Sequence, residues 1–339
     1  MKSTTPRVSV GMPVYNGERY INEAVDSIIA QTFDDFDLII SDNASTDRTE
    51  EICRQYAAKD ERVRYFRNEK NFGAAWNYNS VFNLSTGSYF KWAAADDVCA
   101  PEFLERCIEV LDHNPDVVLC YPRTTFIDEN SEATEAYLDE LNLQSNKPHA
   151  RYKRFHERFR SRTRCNPVFG LIRRSSLEKT RLIGNFTSSD RVLLAELALL
   201  GKFYEVPDNL FFRRDHIQSS VRAYPSAIER ATWFDPEGRR VNQLPKWRLI
   251  FEYIKSVSLV RIGWYEKTIC YIQTVKWLCW DRRKLKKELI AVGYSVVLQF
   301  PRPFFNMLRF ILRFTTRISR RIITSISFIS KIFFNSKTI

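Results

Sequence analysis

Three short apolar segments of this chain each end in polar residues that could bind a ligand. Residues 8–17 read Val-Ser-Val-Gly-Met-Pro-Val-Tyr-Asn-Gly, so an apolar run stops in a Pro-to-Gly turn. Residues 36–43 end in Asp42-Asn43, and residues 90–97 end in the adjacent acids Asp96 and Asp97. Because ligands bind beyond the carboxyl ends of the strands in an open α/β sheet, these three ends are expected to form one site. An aromatic ring, an acid and an acid pair suit a base, a ribose and a metal-bound diphosphate.

Alternating strand and helix patterns are expected to position these ends. Apolar runs at 8–10, 36–41, 63–67, 89–93 and 117–121 predict strands, and periodic segments at 18–31, 47–59 and 74–84 predict helices. This alternation predicts an α/β fold with a doubly wound, mostly parallel sheet and helices on both faces. The polar stretch 128–164 lacks such a pattern, and we expect an insertion or mobile region over the site.

The chain changes character after Pro225, which predicts three parts. These are an α/β domain at 1–225, a helical extension at 226–300 and a basic amphipathic tail at 301–339. The tail carries eight basic residues and no acidic one, so the remaining chain holds only +4 of the net charge of +12. Arg309, Arg313 and Arg317 form one helical stripe beside an isoleucine and leucine stripe. That pattern is typical of a helix lying in a membrane interface, and it suits an anionic membrane surface better than a nucleic acid.

The N-terminal residues, the cysteines and the length of the apolar runs indicate the cellular location of the protein. Residues 1–7 are polar, so no secretory signal is expected before the first strand. The seven cysteines show no Cys-x-x-Cys pair and no zinc-like spacing, which is typical of reduced thiols in the cytosol. No apolar run reaches the ~18 residues of a confident membrane span. We therefore expect a cytoplasmic protein attached peripherally to the inner face of the cell membrane.

From about Val8 to about Ser220 the chain resembles the family 2 glycosyltransferases. The resemblance rests on the order and spacing of several motifs, none of them specific alone: Pro13-Val14-Tyr15-Asn16, Asp42-Asn43-Ala44-Ser45-Thr46-Asp47, Asn71-Phe72-Gly73, Asp96-Asp97, Ser189-Asp190 and Arg214-Asp215-His216. It implies the GT-A fold and transfer of a sugar from a nucleotide-diphosphate donor to an acceptor hydroxyl, usually with inversion.

The resemblance also implies where the donor lies. The base and ribose would be wrapped by four residues after the first strand: Pro13, Val14, Tyr15 and Asn16. Asp42 would accept the base N–H of a uracil-like ring, which favours a UDP-sugar, although an Asx turn is the structural alternative. Gly73 would allow close approach of the chain to the nucleotide, with Asn77 nearby.

Asp97 is the residue expected to bind the metal. Mg²⁺ or Mn²⁺ would take one or two carboxylates plus substrate phosphates, and the last acid of the family's D-x-D motif fills that role. Here the motif reads Ala95-Asp96-Asp97, so the first acid is absent and Asp96 is expected to contact the donor. His216 would face the diphosphate or the metal. A helix cap needs one short polar side chain rather than two adjacent acids, so capping is the weaker explanation of Asp97.

Asp190 is the expected general base, which removes the proton of the acceptor hydroxyl. An acid at a helix start also suits the helix dipole, so a structural role competes and can coexist. Arg214, or its neighbour Arg213, would neutralise the departing phosphates, since a guanidinium matches their geometry.

These residues predict an inverting, metal-dependent glycosyltransferase of cell-surface glycan or polysaccharide biosynthesis, acting on a glycan or lipid-linked acceptor. Two alternatives stay open. A sugar-nucleotide-binding scaffold without catalysis is suggested by Ala95. A sugar nucleotidyltransferase would share the layout, but residues 11–15 are not the Gly-rich, basic loop that it would require.

Overall fold

The computed structural model describes residues 5–160, 164–224, 226–236 and 244–297. Nine strands form one sheet: β1 (Val8–Val14), β2 (Phe36–Asp42), β3 (Val63–Arg67), β4 (Tyr89–Trp92), β5 (Val98–Cys99), β6 (Val117–Ile127), β7 (Ala133–Tyr137), β8 (Leu171–Arg173) and β9 (Lys202–Arg214). The helices up to β9 are α1 (Ile21–Ile29), α2 (Thr49–Lys59), α3 (Ala74–Asn83), α4 (Phe103–His113), α5 (Pro148–Arg160), α6 (Arg174–Leu177) and α7 (Ser189–Leu200), with a 3₁₀ turn at Asn166–Phe169. After β9 follow α8 (Ser220–Ala223), α9 (Ala227–Phe234), α10 (Pro245–Leu259), α11 (Trp264–Trp280) and α12 (Arg282–Val297).

The sheet order is β3-β2-β1-β4-β8-β6-β9-β5, with β7 paired to the far end of β6. The first four strands in this order run parallel, β8 lies antiparallel between β4 and β6, and β9 runs parallel to β6. In the register of β1 and β2, Val14 lies beside Asp42, so the two strands end together. The α/β class and the meeting of strand ends expected from the sequence are confirmed.

Two apolar cores lie on opposite faces of the sheet. Ile39 of β2 belongs to one, and its neighbours Leu38 and Ile40 belong to the other, since successive strand residues point to opposite faces. Strands buried on both faces explain why β2 reads as a continuous apolar run.

The stretch 128–164 differs from the sequence expectation. It contains β7, and α5 packs against α7 and α11. Tyr152 and Phe155 of α5 are fully buried, so this helix belongs to the core rather than to a mobile cover. Its high charge hid the pattern, because Arg151 is itself buried and donates to the carbonyls of Ala198 and Leu199 at the end of α7.

The chain divides into two compact units, Met1–Trp280 and Asp281–Ile339. In the second unit α12 is described, and residues 301–339, which include the proposed amphipathic tail, lie outside the described residues. The predicted boundaries near 225 and 300 remain predictions. All seven cysteines lie in the described part and are free thiols.

Candidate active site

A cavity of about 950 Å³ opens at the carboxyl ends of β1 and β4 and at the end of β9. Ten of the twelve residues that the sequence singled out line it: Pro13, Val14, Tyr15, Asn16, Asn77, Asp96, Asp97, Asp190, Arg214 and His216. Asp42 and Gly73 are not among the lining residues. The fold therefore brings the predicted metal, donor and base residues to one concave surface, which is where an open α/β sheet binds ligands.

The turn after β1 is bonded to the turn after β2. Asn16 has a positive φ of 53°, its side-chain oxygen accepts from the Thr46 amide at 2.8 Å, and its own amide donates to Ser45 Oγ at 2.9 Å. Asn77 lies beneath them, buried, and donates to the carbonyls of Ser41 and Val14. These bonds fix the cavity wall that carries the half-exposed ring of Tyr15.

Asp97 is buried at the far side of this wall. Its Oδ1 accepts the backbone N–H of Arg214 at 2.9 Å. Burial, and next the charge of Asp96, raise the pKa of Asp97 to about 7, against the opposing charges of Arg213 and Lys91. A carboxyl group in this state gains from any further positive charge brought into the cavity.

His216 completes this acidic corner. Its Nε2 lies 2.9 Å from Oδ2 of Asp96, a side chain that is 34% exposed. The imidazole is buried and packs edge-on against Tyr20, with ring centroids 4.7 Å apart. Nδ1 has no hydrogen-bond partner among the described residues. Nδ1 is therefore a buried nitrogen without a protein partner, whereas Nε2 is held by the Asp96 carboxylate.

This corner fits a divalent cation that is completed by substrate oxygens. Adjacent carboxylates and an imidazole with an unpartnered nitrogen are suitable donors for Mg²⁺ or Mn²⁺. In the described ranges there is no cluster of three or more acidic, His or Cys side chains arranged to hold a metal ion alone.

Arg214 has the most contacts of the residues singled out by sequence. Its guanidinium donates to the carbonyls of Asp96 at 2.9 Å and Asp128 at 3.0 Å, to Ser131 Oγ at 2.9 Å and to Glu23 at 2.5 Å. The side chain is 1% exposed. Its N–H groups are therefore directed at the protein, which favours a role in positioning the acid pair, and its predicted contact with the donor stays a prediction.

Arg213 is better placed for a phosphate than its neighbour. It lines the cavity, and Nη1 donates to Oδ1 of Asn166 at 2.6 Å. Asn166 in turn donates to the buried carboxyl of Asp139, whose pKa burial raises to about 8. This chain of bonds fixes the Arg213 side chain and leaves other N–H groups of its guanidinium for a ligand.

Asp42 is fully buried behind the cavity wall. Its Oδ1 accepts from the Ser45 amide at 2.8 Å, and its Oδ2 accepts from Tyr65 Oη and Arg67 Nη1 at 2.7 Å each. A base N–H would have to compete with these partners, and the predicted role of Asp42 remains untested.

Gly73 caps α3 with a φ of 87°, a conformation that favours glycine. A Cβ there would overlap Pro236 and lie 2.6 Å from the carbonyl oxygen of Phe234 at the end of α9. The glycine therefore permits α9 to approach α3 rather than contacting the cavity itself.

Asp190 is the second residue of α7 and lines the cavity. Its Oδ1 accepts the Arg191 amide at 2.9 Å and so satisfies one first-turn N–H, and the side chain of Cys165 also hydrogen-bonds to its carboxylate. Ser188 before it has a positive φ of 71°, which is uncommon for a residue with a side chain and concentrates at functional sites. The capping and base roles are compatible in this geometry.

The three acids lie around one side chain. Tyr78 lines the cavity half-buried, and burial raises its pKa, with further rises from the charges of Asp96, Asp97 and Asp190. Because such influence falls with distance, Asp96, Asp97 and Asp190 all lie near the Tyr78 hydroxyl.

Sequence reasoning missed one wall of the cavity. Tyr224 and Trp233 stack with ring centroids 5.6 Å apart, and Arg222 and Arg230 line the cavity beside them. These residues belong to α8, α9 and the loop between them, where no strand–helix alternation remains. The aromatic and arginine content of 222–234 was the available signal.

Comparison with known proteins identifies the family. The model of "Glycosyl transferase family 2" matches residues 9–181. An uncharacterized glycosyltransferase of Methanocaldococcus jannaschii is 36% identical over 137 residues, 40% of this chain and 47% of that protein. Glycosyltransferase GlyG of Streptococcus pneumoniae is 27% identical over 224 residues, 63% of this chain and 73% of that protein. The matched segment of the chain covers less than half of the length of the first curated relatives.

The solved structures support the fold. S. aureus TarS 1–349 in complex with UDP-GlcNAc superposes with a TM-score of 0.55 at 16% identity, covering 77% of this chain and 69% of that one. The sheet, the cavity at its strand ends and the matched family model agree. The chain belongs to glycosyl transferase family 2 and has the GT-A fold.

Proposed function

We propose that this protein is an inverting, metal-dependent glycosyltransferase that moves a sugar from a nucleotide-diphosphate sugar to an acceptor hydroxyl in cell-surface glycan or polysaccharide biosynthesis. The observation that carries the proposal is the shared cavity. Asp96, Asp97 and His216 form one corner of it, and Asp190 stands in the same wall at the start of α7.

The donor is assigned to the surface between Tyr15 and Asp97. The ring of Tyr15, on the turn after β1, suits a base or ribose. Asp97, with His216, would hold Mg²⁺ or Mn²⁺ at the diphosphate, and such an ion offsets the charge that grows on the leaving group. Arg213 supplies a second positive charge on the same side. A UDP-sugar is the favoured donor because TarS binds UDP-GlcNAc.

Asp190 performs the proton transfer. Its carboxylate accepts the proton of the acceptor hydroxyl while the hydroxyl oxygen attacks the anomeric carbon. The bond between the anomeric carbon and the diphosphate oxygen breaks in the same step, and the nucleoside diphosphate leaves with the electron pair. One displacement of this kind inverts the configuration, so no covalent glycosyl-enzyme is required.

The acceptor is a glycan or a lipid-linked sugar, reached from the cytoplasmic face of the membrane. The basic tail at 301–339 is proposed to lie on the anionic membrane surface. Within the described ranges, no helix has both the length and the apolar content that crossing a bilayer requires.

The scaffold alternative remains the one to test. Ala95 lines the cavity where the family's first motif acid would lie, so a protein that binds donor without transferring it is conceivable on that ground alone. Asp97, Asp190 and His216 in one cavity favour catalysis.

The direct test of the catalytic role is Asp190→Asn. It keeps the size of the side chain and its acceptor oxygen for the Arg191 amide, but it removes the base. Transfer should fall roughly 10²-fold or more while donor affinity changes little. Asp208→Asn is the control, since Asp208 is an exposed acid paired with Arg106 away from the cavity. If Asp190→Asn lowers donor affinity and melting temperature but leaves turnover per folded molecule intact, Asp190 is a helix cap.

A further inference from the structure

The helices α10 and α11 leave large apolar side chains in solvent. They are joined by residues 260–263, and seven such side chains are exposed along them: Phe251, Ile254, Leu259, Trp264, Tyr265, Ile272 and Trp280. Trp264 is 81% exposed, and Leu259, just before the connection, is 56% exposed. Scattered apolar residues on a surface are ordinary, but a contiguous set marks an interaction site.

The exposed residues share one face of each helix. On α10, Phe251, Ile254 and Leu259 alternate with the buried stripe of Leu249, Tyr253 and Val257. On α11, Trp264, Tyr265 and Ile272 lie within about 100° of one another around the helix axis, and the buried residues Cys270 and Thr274 lie on the other side. Residues three or four positions apart share a helix face, so each helix has an inner and an outer face.

The inner faces are firmly packed. α10 contacts α7, α11 contacts α5, and the two helices contact each other. Tyr253 and Trp277 close around the buried ring of His156, with ring centroids 4.6 and 5.1 Å from it. The outer apolar face is therefore presented by rigid helices rather than by a fraying segment.

Charge is divided between the two faces as well. The two acids of these helices pair with residues of the main body: Glu252 contacts Arg181, and Glu266 lies 2.7 Å from His149 Nδ1. The exposed charged side chains are basic: Lys255, Arg261 and Lys276. The outer face is thus apolar and positive.

The apolar and positive character of this face indicates what it binds. The chain's own tail at 301–339 has eight basic residues and no acid, so the positive face repels it. A second copy of the same face would also place like charges together. An anionic bilayer offers negative head groups to Lys and Arg and an apolar layer to Leu and Phe, and its interface is where Trp and Tyr concentrate.

We propose that the outer face of the α10–α11 hairpin binds an anionic membrane surface, with Leu259, Trp264 and Tyr265 entering the interface. The contact is separate from the tail and does not depend on the catalytic roles given above. It would hold the main body on the bilayer directly.

Tryptophan quenching separates this contact from the tail, because none of the seven tryptophans lies in 301–339. The full chain is mixed with phosphatidylglycerol vesicles whose acyl chains carry bromine, and tryptophan fluorescence is recorded. Bromine should quench the wild type, and Trp264→Phe, which stays aromatic and apolar, should lose much of the quenched fraction. Trp76→Phe is the matched control: Trp76 is 44% exposed but lies on α3.

A second pair of variants measures affinity at low salt. The double variant Leu259→Ser, Trp264→Ser should bind phosphatidylglycerol vesicles at least about tenfold more weakly, since each buried side chain of this size is worth a factor of that order. Leu138→Ser, at a 49% exposed position just after β7, should bind as the wild type does. The proposal is overturned if the chain sediments with vesicles while Trp264→Phe and Trp76→Phe show the same quenching. It is also overturned if the double variant binds unchanged, or if zwitterionic vesicles bind equally well, because the face would then not recognise negative head groups.

Discussion

Replacing Arg214 by methionine should destabilise the cavity wall rather than remove a direct contact with the donor. The substitution keeps the length of the aliphatic side chain but removes the guanidinium group, whose N–H donors link β9 to three other segments. The lost partners are the carbonyls of Asp96 and Asp128, the Ser131 hydroxyl and the Glu23 carboxylate. The Asp96 carbonyl would lose this donor, at about 1–3 kcal/mol, whereas the Asp128 carbonyl keeps the Ser131 amide at 3.2 Å. Half-exposed Glu23 turns to water and adds little.

The free energy of unfolding should therefore fall by about 1–3 kcal/mol, most of it from the unpaired Asp96 carbonyl. With a urea dependence of about 3 kcal/mol per molar, the unfolding midpoint would drop by roughly 0.3–1 M. Arg222→Met is the matched control, because Arg222 also lines the cavity and pairs with a carboxylate, but both it and Asp215 are exposed. Its midpoint should stay within experimental error of the wild type. A wild-type midpoint in Arg214→Met, together with a tenfold loss of donor affinity, would refute the positioning role and restore the donor contact.

Three further predictions concern the acid pair Asp96 and Asp97, the buried His156 and the tail at 301–339. Asp97→Ala should abolish turnover as EDTA does, and Asp96→Ala should weaken donor binding or turnover; near-normal turnover of Asp97→Ala with an intact metal requirement would remove the metal assignment. Burial lowers the pKa of His156 to about 3, so the folded state resists a proton that the unfolded chain takes near 6.5. Stability should thus fall as the pH drops from about 6.5 toward 3, by about 2–3 kcal/mol at pH 4.5, and urea titrations of His156→Phe should lack this slope. A chain ending near Pro301 should keep hydrolysing donor but bind anionic vesicles more weakly, by about 1 kcal/mol for each lost basic residue that lay near the surface, whereas unfolding of that chain would make the tail structural.

The strand ends could be predicted because they depend on local signals. An apolar run in a parallel sheet is buried on both faces, and its end is marked by the first polar residues, as at Asp42 and Asp97. The adjacency of those ends follows from the topology rule for α/β sheets and needs no knowledge of side-chain contacts.

What could not be predicted depends on long-range partners. Arg214 is directed at Asp96 and Asp128, and Asp42 is saturated by Tyr65 and Arg67. These contacts join residues that are 23–118 positions apart in the sequence. The helix α5 was missed because its arginine and histidine are buried, which binary patterning reads as surface. Each of these is a buried polar group whose partner lies in another element.

The measurement that tests the central claim most directly is a donor screen with and without Mg²⁺ or Mn²⁺. The protein is incubated with the common nucleotide sugars, and release of the nucleoside diphosphate is followed. One class of donor, UDP-sugars first, should be hydrolysed or transferred only when the cation is present, and Asp97→Ala should remove that activity. Turnover that is indifferent to EDTA, or donor binding with no turnover under any cation, would contradict the account.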